Sequence, residues 1–196
     1  ARAALQITDT GRNTLPAVVF ILLYVVGASA PFSDWRVIAA WVAAVLLFQL
    51  LRELLRRRFV AAAPPDGALE RWANAFTIHQ FFAGIVWGAS MILFAHPDQP
   101  ITVALTLCCL FSVAAGAVPA QAYNPRSFYA LSFALFAIAF GRLLLTWQFP
   151  YILLGAASAL FGVAMAGYCK LQSRTVVEGL RIRFENVALL EQLQIQ

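Results

Sequence analysis

Long runs of apolar residues, separated by short polar breaks, dominate this chain. Four runs contain no charged residue: 13–33, 72–97, 99–125 and 143–169. A helix needs about 20 residues to cross the hydrocarbon core of a bilayer. Two shorter runs, 37–51 and 127–141, reach that length if flanking arginines extend toward the headgroups. The pattern predicts six membrane-spanning helices, near residues 14–32, 35–54, 70–95, 100–120, 127–148 and 150–171.

Composition agrees with this pattern. The chain has 196 residues, of which 62% are hydrophobic and 12% are charged, whereas a soluble domain carries roughly 25% charged residues. Of its 14 Lys and Arg residues, all but Arg36 and Arg142 fall on one side of the predicted spans. Because positive residues concentrate on the cytoplasmic side, both termini are expected there. This asymmetry accounts for the net charge of +5 without a nucleic-acid partner.

The hydrophobic pattern changes after Lys170. Apolar residues now recur at intervals of three and four, as at the a and d positions of a two-stranded coiled coil. They predict that residues 173–196 form a cytoplasmic signalling helix through which two copies of the chain pair. The alternative is an amphipathic helix on the inner membrane surface, which the nearby arginines favour. The predicted pairing positions are Val177, Leu180, Phe184, Val187 and Leu190.

His79 is the main candidate for chemistry, because an ionisable side chain inside a span often marks a functional site. We group it with Gln80, Asn74, Trp87 and Arg142 as candidate contacts for a small or lipophilic ligand. A neutral imidazole hydrogen-bonded to another helix is the simpler interpretation of His79. No cofactor is expected, and haem or a metal bound through His79 remains the alternative. We assign no catalytic residue and no metal ligand.

Small residues predict close helix packing. Gly84 and Gly88 form a GxxxG motif in the third span, and Gly162 lies in a row of small residues in the sixth. Such motifs let two helix backbones approach, either within the bundle or across a dimer. Pro119 is expected to kink or end the fourth span.

Several classes of membrane protein require residues that this sequence does not have. No Asp or Glu lies deep within a predicted span, although ion-coupled transporters usually keep one there. No mid-span Lys is available for a retinal Schiff base, and nothing resembles a catalytic grouping. The segment itself is therefore expected to be non-catalytic. A small carrier or channel remains an alternative.

Residues 181–193, Arg-Ile-Arg-Phe-Glu-Asn-Val-Ala-Leu-Leu-Glu-Gln-Leu, resemble the helix that follows multi-span input regions of bacterial sensor proteins. Residues 82–88, Phe-Ala-Gly-Ile-Val-Trp-Gly, are similar to the third span of those regions. The resemblance implies a homodimeric input region in the bacterial inner membrane. In those families the helix leads to a histidine kinase, often a hybrid kinase, or to a diguanylate cyclase.

The expected fold is therefore an all-α, six-helix transmembrane bundle with a C-terminal coiled coil. Residues 1–172 form the sensor domain, and residues 173–196 lead to a catalytic domain beyond them. The expected partners are a second copy of the chain, membrane lipids and an unidentified ligand.

Overall fold

The computed structural model describes residues 14–194, with all side chains except those of residues 14–17, 66, 180 and 183–194. Within residues 14–194 the chain forms six α-helices and one short 3-10 turn, and no strand. The all-α prediction is confirmed. The helices α1 to α6 are, in order, Thr14–Ser29, Trp35–Ala62, Leu69–Leu93, Pro100–Gln121, Pro125–Leu144 and Phe149–Gln194.

Five of these helices, α2 to α6, are long and apolar enough to cross a membrane. The predicted bounds of α3, α4 and α5 lie within four residues of those observed. The described part of α1 has 16 residues, fewer than the roughly 20 that a perpendicular crossing requires. The length and hydropathy of the other five indicate a membrane-embedded protein.

Local sequence explains several helix ends. The Asp34 carboxylate accepts a hydrogen bond from the Arg36 backbone N–H at 2.8 Å and so caps the start of α2. Pro100 and Pro125 begin α4 and α5, where a missing N–H costs no helical bond. α4 ends two residues after Pro119, in agreement with the predicted effect of that proline.

The glycine motif of α3 packs against α5 inside the bundle. A Cβ atom added to Gly84 would lie 2.5 Å from the backbone oxygen of Leu131. One added to Gly88 would lie 3.1 Å from the backbone oxygen of Leu135. The two backbones can approach this closely because neither glycine has a side chain. The α3–α5 pair is the most extensive helix contact of the structure.

α6 joins the bundle through α5 and α4. A Cβ atom at Gly162 would lie 2.7 Å from Cδ2 of Phe136 on α5. The Phe161 ring lies 4.4 Å from that of Phe111 on α4 and 5.9 Å from that of Phe136, measured between centroids. α6 then continues as one helix to Gln194.

The predicted pairing positions lie on this extension of α6. The Val177 side chain is 60% exposed. The side chains of the other four predicted pairing positions lie outside the described residues: Leu180, Phe184, Val187 and Leu190.

α2 is held mainly by α3. The Trp41 indole N–H donates to the backbone oxygen of Val86 at 2.8 Å. Seven residues further along α2, the backbone oxygen of Phe48 lies 3.0 Å from Nε2 of His79. α1 packs mainly against α4, and its contact with α2 is slight.

Replacing Gly84 with Ala should destabilise the bundle by about 1–3 kcal/mol, because the new methyl group meets a backbone oxygen that cannot move away. The midpoint of denaturant unfolding in detergent micelles measures the change. Gly167→Ala is the matched control on α6, since nothing lies within 4 Å of its added Cβ atom. Equal stability of the two variants would contradict the packing described for α3 and α5.

Candidate functional site

A cavity of about 110 Å³ lies among α1, α2, α3 and α4, with Leu131 of α5 closing one side. It is nearer the basic end of the bundle, by which we mean the end where α2 and α4 finish and α3 and α5 begin. Its wall is largely apolar but includes six side chains with polar groups. These are Gln49, Arg52, His79, Gln80, Ser112 and Gln121.

His79 is half-buried and projects from α3 toward α2. A backbone carbonyl can only accept hydrogen bonds, so Nε2 of His79 must donate to the oxygen of Phe48. A neutral imidazole that donates from Nε2 has an acceptor lone pair at Nδ1. Nδ1 is buried and has no hydrogen-bond partner. Nε2 of His79 therefore links α3 to α2, and Nδ1 has no hydrogen-bond partner.

Gln121 presents a second unpaired acceptor. It is the last residue of α4 and its side chain is 4% exposed. Its Oε1 atom is buried without a hydrogen-bond partner. Folded proteins pair most buried polar atoms with protein groups or with ordered water. His79 and Gln121 both line this cavity, but their two unpaired acceptor atoms are buried behind its surface.

Arg52 gives the cavity wall a positive charge. The neighbouring Glu53 carboxylate accepts hydrogen bonds from Arg56 Nη2 at 2.7 Å and from Arg57 Nε at 2.8 Å. Among the described residues that line the cavity there is no Asp or Glu. The wall thus combines one cation with neutral polar groups.

The structure brings three of the five predicted ligand contacts together. His79, Gln80 and Trp87 line the cavity. Asn74 is exposed on α3 and does not line it. Arg142 is half-buried near Thr146 and Tyr151, at the opposite end of the bundle. Arg142 and His79 therefore do not share a site.

Sequence reasoning missed Gln49, Arg52 and Gln121 as cavity residues. The two glutamines carried a usable signal, because uncharged polar residues near the ends of apolar spans often face other helices. In the sequence, Arg52 counts only as one of the positive residues whose distribution orients the chain. Its position one helical turn beyond Gln49 places both on the face of α2 that meets α3.

A metal ion bound to His79 would lack the further protein ligands that a metal site needs. Across the described part of the chain, no three His, Cys, Asp or Glu side chains lie together as a metal site would require. Of the three cysteines, Cys108 is exposed, and Cys109 and Cys169 are buried. Haem or metal binding through His79 stays an untested alternative to the expectation of no cofactor.

Gln121→Met should leave the stability of the protein unchanged, or raise it by up to about 1 kcal/mol, because it removes an unpaired buried acceptor. Asn124→Leu is the matched comparison. The Asn124 amide donates to Ser127 Oγ at 2.8 Å and to the Ala73 oxygen at 3.3 Å, so its loss should cost about 1 kcal/mol. Unfolding midpoints in one detergent provide both values. A loss in Gln121→Met as large as that in Asn124→Leu would show that Oε1 has a partner in the protein.

The chain was compared with models of known protein families, with curated proteins and with solved structures, and none of the three comparisons gave a match. Its function must therefore be inferred from the geometry of the cavity and of α6.

Proposed function

We propose that this chain is the membrane-embedded input module of a bacterial sensor histidine kinase. In this proposal α1 to α6 all cross the inner membrane and both termini are cytoplasmic. A small ligand or a change in the bilayer shifts the bundle, and α6 relays that shift to the kinase. The same input would suit a diguanylate cyclase, because both outputs follow a helix of this kind in the families that the chain resembles.

The observation that carries the proposal is the continuity of α6. This helix has 46 residues, which corresponds to a length of about 69 Å at 1.5 Å per residue. That is roughly twice the ~30 Å thickness of the hydrocarbon core. Its only proline, Pro150, lies in the first turn, where it does not interrupt the helix. A rigid helix of this length transfers a displacement within the bundle to residues beyond it.

The inner end of α4 connects the cavity with α6. Ala117 lines the cavity and also packs against a small cluster formed by Val118, Phe128 and Cys169. Cys169 lies on α6 and is fully buried. A movement of α4 at the cavity wall is thus passed directly to α6.

Pro119 makes this part of α4 easier to move. Proline has no backbone N–H, so the carbonyl of residue 115 loses its helical hydrogen bond. Occupation of the cavity could shift the equilibrium between two positions of α4, but only if the ligand binds one of them more tightly. Coupling between the cavity and α6 therefore requires that the ligand bind the two positions of α4 with different affinities.

Insertions in α6 test the relay. The chain is fused through Gln194 to the catalytic part of a sensor kinase, and alanines are inserted after Gly179. One alanine rotates the output by about 100°, whereas seven restore its angular position. Autophosphorylation in membranes should change with one insertion and return with seven. A kinase activity that ignores the number of inserted residues would contradict the relay.

Cysteine crosslinking tests the dimer. Single cysteines at Val177, Leu180 and Phe184, in a background without Cys108, Cys109 and Cys169, should form disulfide-linked dimers in membranes. Cysteine at Ile182 is the matched control, since this exposed apolar residue falls outside the a and d positions. Equal crosslinking at Ile182, or none at the three test positions, would exclude the proposed coiled coil. Solute flux through liposomes containing this chain alone would instead favour a carrier or channel.

A further inference from the structure

An apolar groove, open along one side, runs between α2 and α3. Nine described residues line it, and all of them except Arg36 are apolar. Small side chains form much of its wall: Ala40, Ala44 and Ala89. The indole N–H of Trp41, the other polar side-chain group of the wall, already donates to the Val86 oxygen. Beyond Arg36 the groove therefore suits an apolar chain.

The groove has nearly the depth of one membrane leaflet. It begins at Arg36 and Leu93, at the end of the bundle opposite the basic end, and extends to Ala44 and Ile85. On both helices it spans eight residues, from 36 to 44 and from 85 to 93, or about 12 Å at 1.5 Å per residue. The hydrocarbon of one leaflet is about 15 Å thick, half of the ~30 Å core. An acyl chain that starts at the membrane surface would lie along the whole groove.

Tryptophan side chains indicate that Arg36 lies at the level of the lipid headgroups. Trp35 and Trp147 are both exposed, and they lie at the same end of the bundle, at the start of α2 and between α5 and α6. Tryptophan is enriched at the boundary between hydrocarbon and headgroups. The guanidinium carbon of Arg36 lies 5.8 Å from the centroid of the Trp35 ring. The charged end of the groove is therefore at the membrane surface.

Arg36 brings a positive charge that no carboxylate neutralises. Among the described residues, no Asp or Glu side chain lies within 4.0 Å of its guanidinium nitrogens. Asp34 accepts a hydrogen bond from the backbone N–H of Arg36 and does not line the groove. A guanidinium group binds phosphate through charge-assisted hydrogen bonds. A cation at the head of an apolar groove thus matches a phosphate group that carries an apolar chain.

A second copy of the chain is the competing occupant of the groove. The pairing positions proposed above lie on α6, which packs on α4 and α5 and has at most slight contact with α2 and α3. The groove therefore lies away from that pairing surface. A helix packed over the groove would also cover Arg36, and burying its charge is costly unless a carboxylate pairs with it. A lipid leaves Arg36 among the headgroups.

We propose that the groove between α2 and α3 binds one phospholipid, whose phosphate pairs with the Arg36 guanidinium and whose acyl chain lies along Ala40, Ala44 and Ala89. Because α2 is held mainly by α3, a lipid that contacts both helices stabilises their association. The site adds to the input function proposed above and does not depend on it.

The test uses the full chain in micelles of a neutral maltoside detergent, with phosphatidylglycerol as the probe. Diacylglycerol with the same acyl chains is its counterpart without phosphate, and inorganic phosphate is its counterpart without chains. The thermal unfolding midpoint is recorded against probe concentration, because a ligand that binds only the folded state raises it. Phosphatidylglycerol should raise the midpoint, and diacylglycerol should need a roughly 5-fold higher concentration for the same shift. Inorganic phosphate should have no effect.

Arg36→Gln removes the charge and leaves the apolar wall intact. The apparent affinity for phosphatidylglycerol should fall roughly 5-fold, and that for diacylglycerol should not change, so the difference between the two lipids should vanish. Arg36→Lys restores the charge and should restore the difference. Arg142→Gln is the matched control, because Arg142 lies at the same end of the bundle and does not line the groove. The difference between the lipids should persist in this variant.

Ala40→Phe tests the groove itself. Ala40 is exposed and lines the groove, so a phenyl ring at this position occupies the space of the acyl chain. This variant should fold and lose the response to both lipids. Ala43→Phe is the matched control, because Ala43 is exposed on α2 and does not line the groove. It should respond like the parent protein.

Equal responses of the parent protein to phosphatidylglycerol and diacylglycerol would overturn the proposal, as would a difference between them that survives in Arg36→Gln. A response to both lipids that persists in Ala40→Phe would place the bound lipid elsewhere. If Ala40→Phe instead converts a dimer to a monomer in light scattering, the groove is an interface between two copies and the lipid proposal is wrong. None of these outcomes affects the insertion series in α6, so this proposal and the input function fail separately.

Discussion

The close approach of α3 and α5 is the contact on which the rest of this structure depends. Within lipid, helices gain little from hydrophobic burial and associate through tight packing and polar contacts. Gly84 and Gly88 allow backbone atoms of α5 to reach α3, and this fixes the rotation of α3. His79 and Gln80 then face the cavity. α5 also presents Phe136 to Gly162, so the position of α6 depends on the same contact.

The packing is uneven around this centre. Glycine contacts join α3 to α5 and α5 to α6, whereas α1 and α2 are attached to different helices and meet each other only slightly. The cavity lies where the packing is weakest. Unpaired acceptors such as those of His79 and Gln121 lower stability. A bundle can carry that cost because its main contacts lie elsewhere.

The sequence allowed much of the fold to be predicted, since run length and charge determine where helices cross a bilayer. It also identified Gly84 as a site of close approach, although the partner helix cannot be read from a motif on one helix. The cavity was predicted only on α3. Gln121 and Arg52 join it through tertiary packing, which no local pattern contains. Arg142 was grouped with His79 because both are rare polar residues in spans, yet they lie at opposite ends.

The hydrogen bonds between α2 and α3 have an evolutionary consequence. In both bonds the donor is a side chain, Trp41 or His79, and the acceptor is a main-chain oxygen. Every amino acid supplies that oxygen, so mutations of Val86 and Phe48 leave the acceptors in place. Mutations of the donors do not. Genetic drift can therefore replace Val86 or Phe48 without loss of the hydrogen bond. Selection retains Trp41 and His79 for as long as the helices need to stay joined.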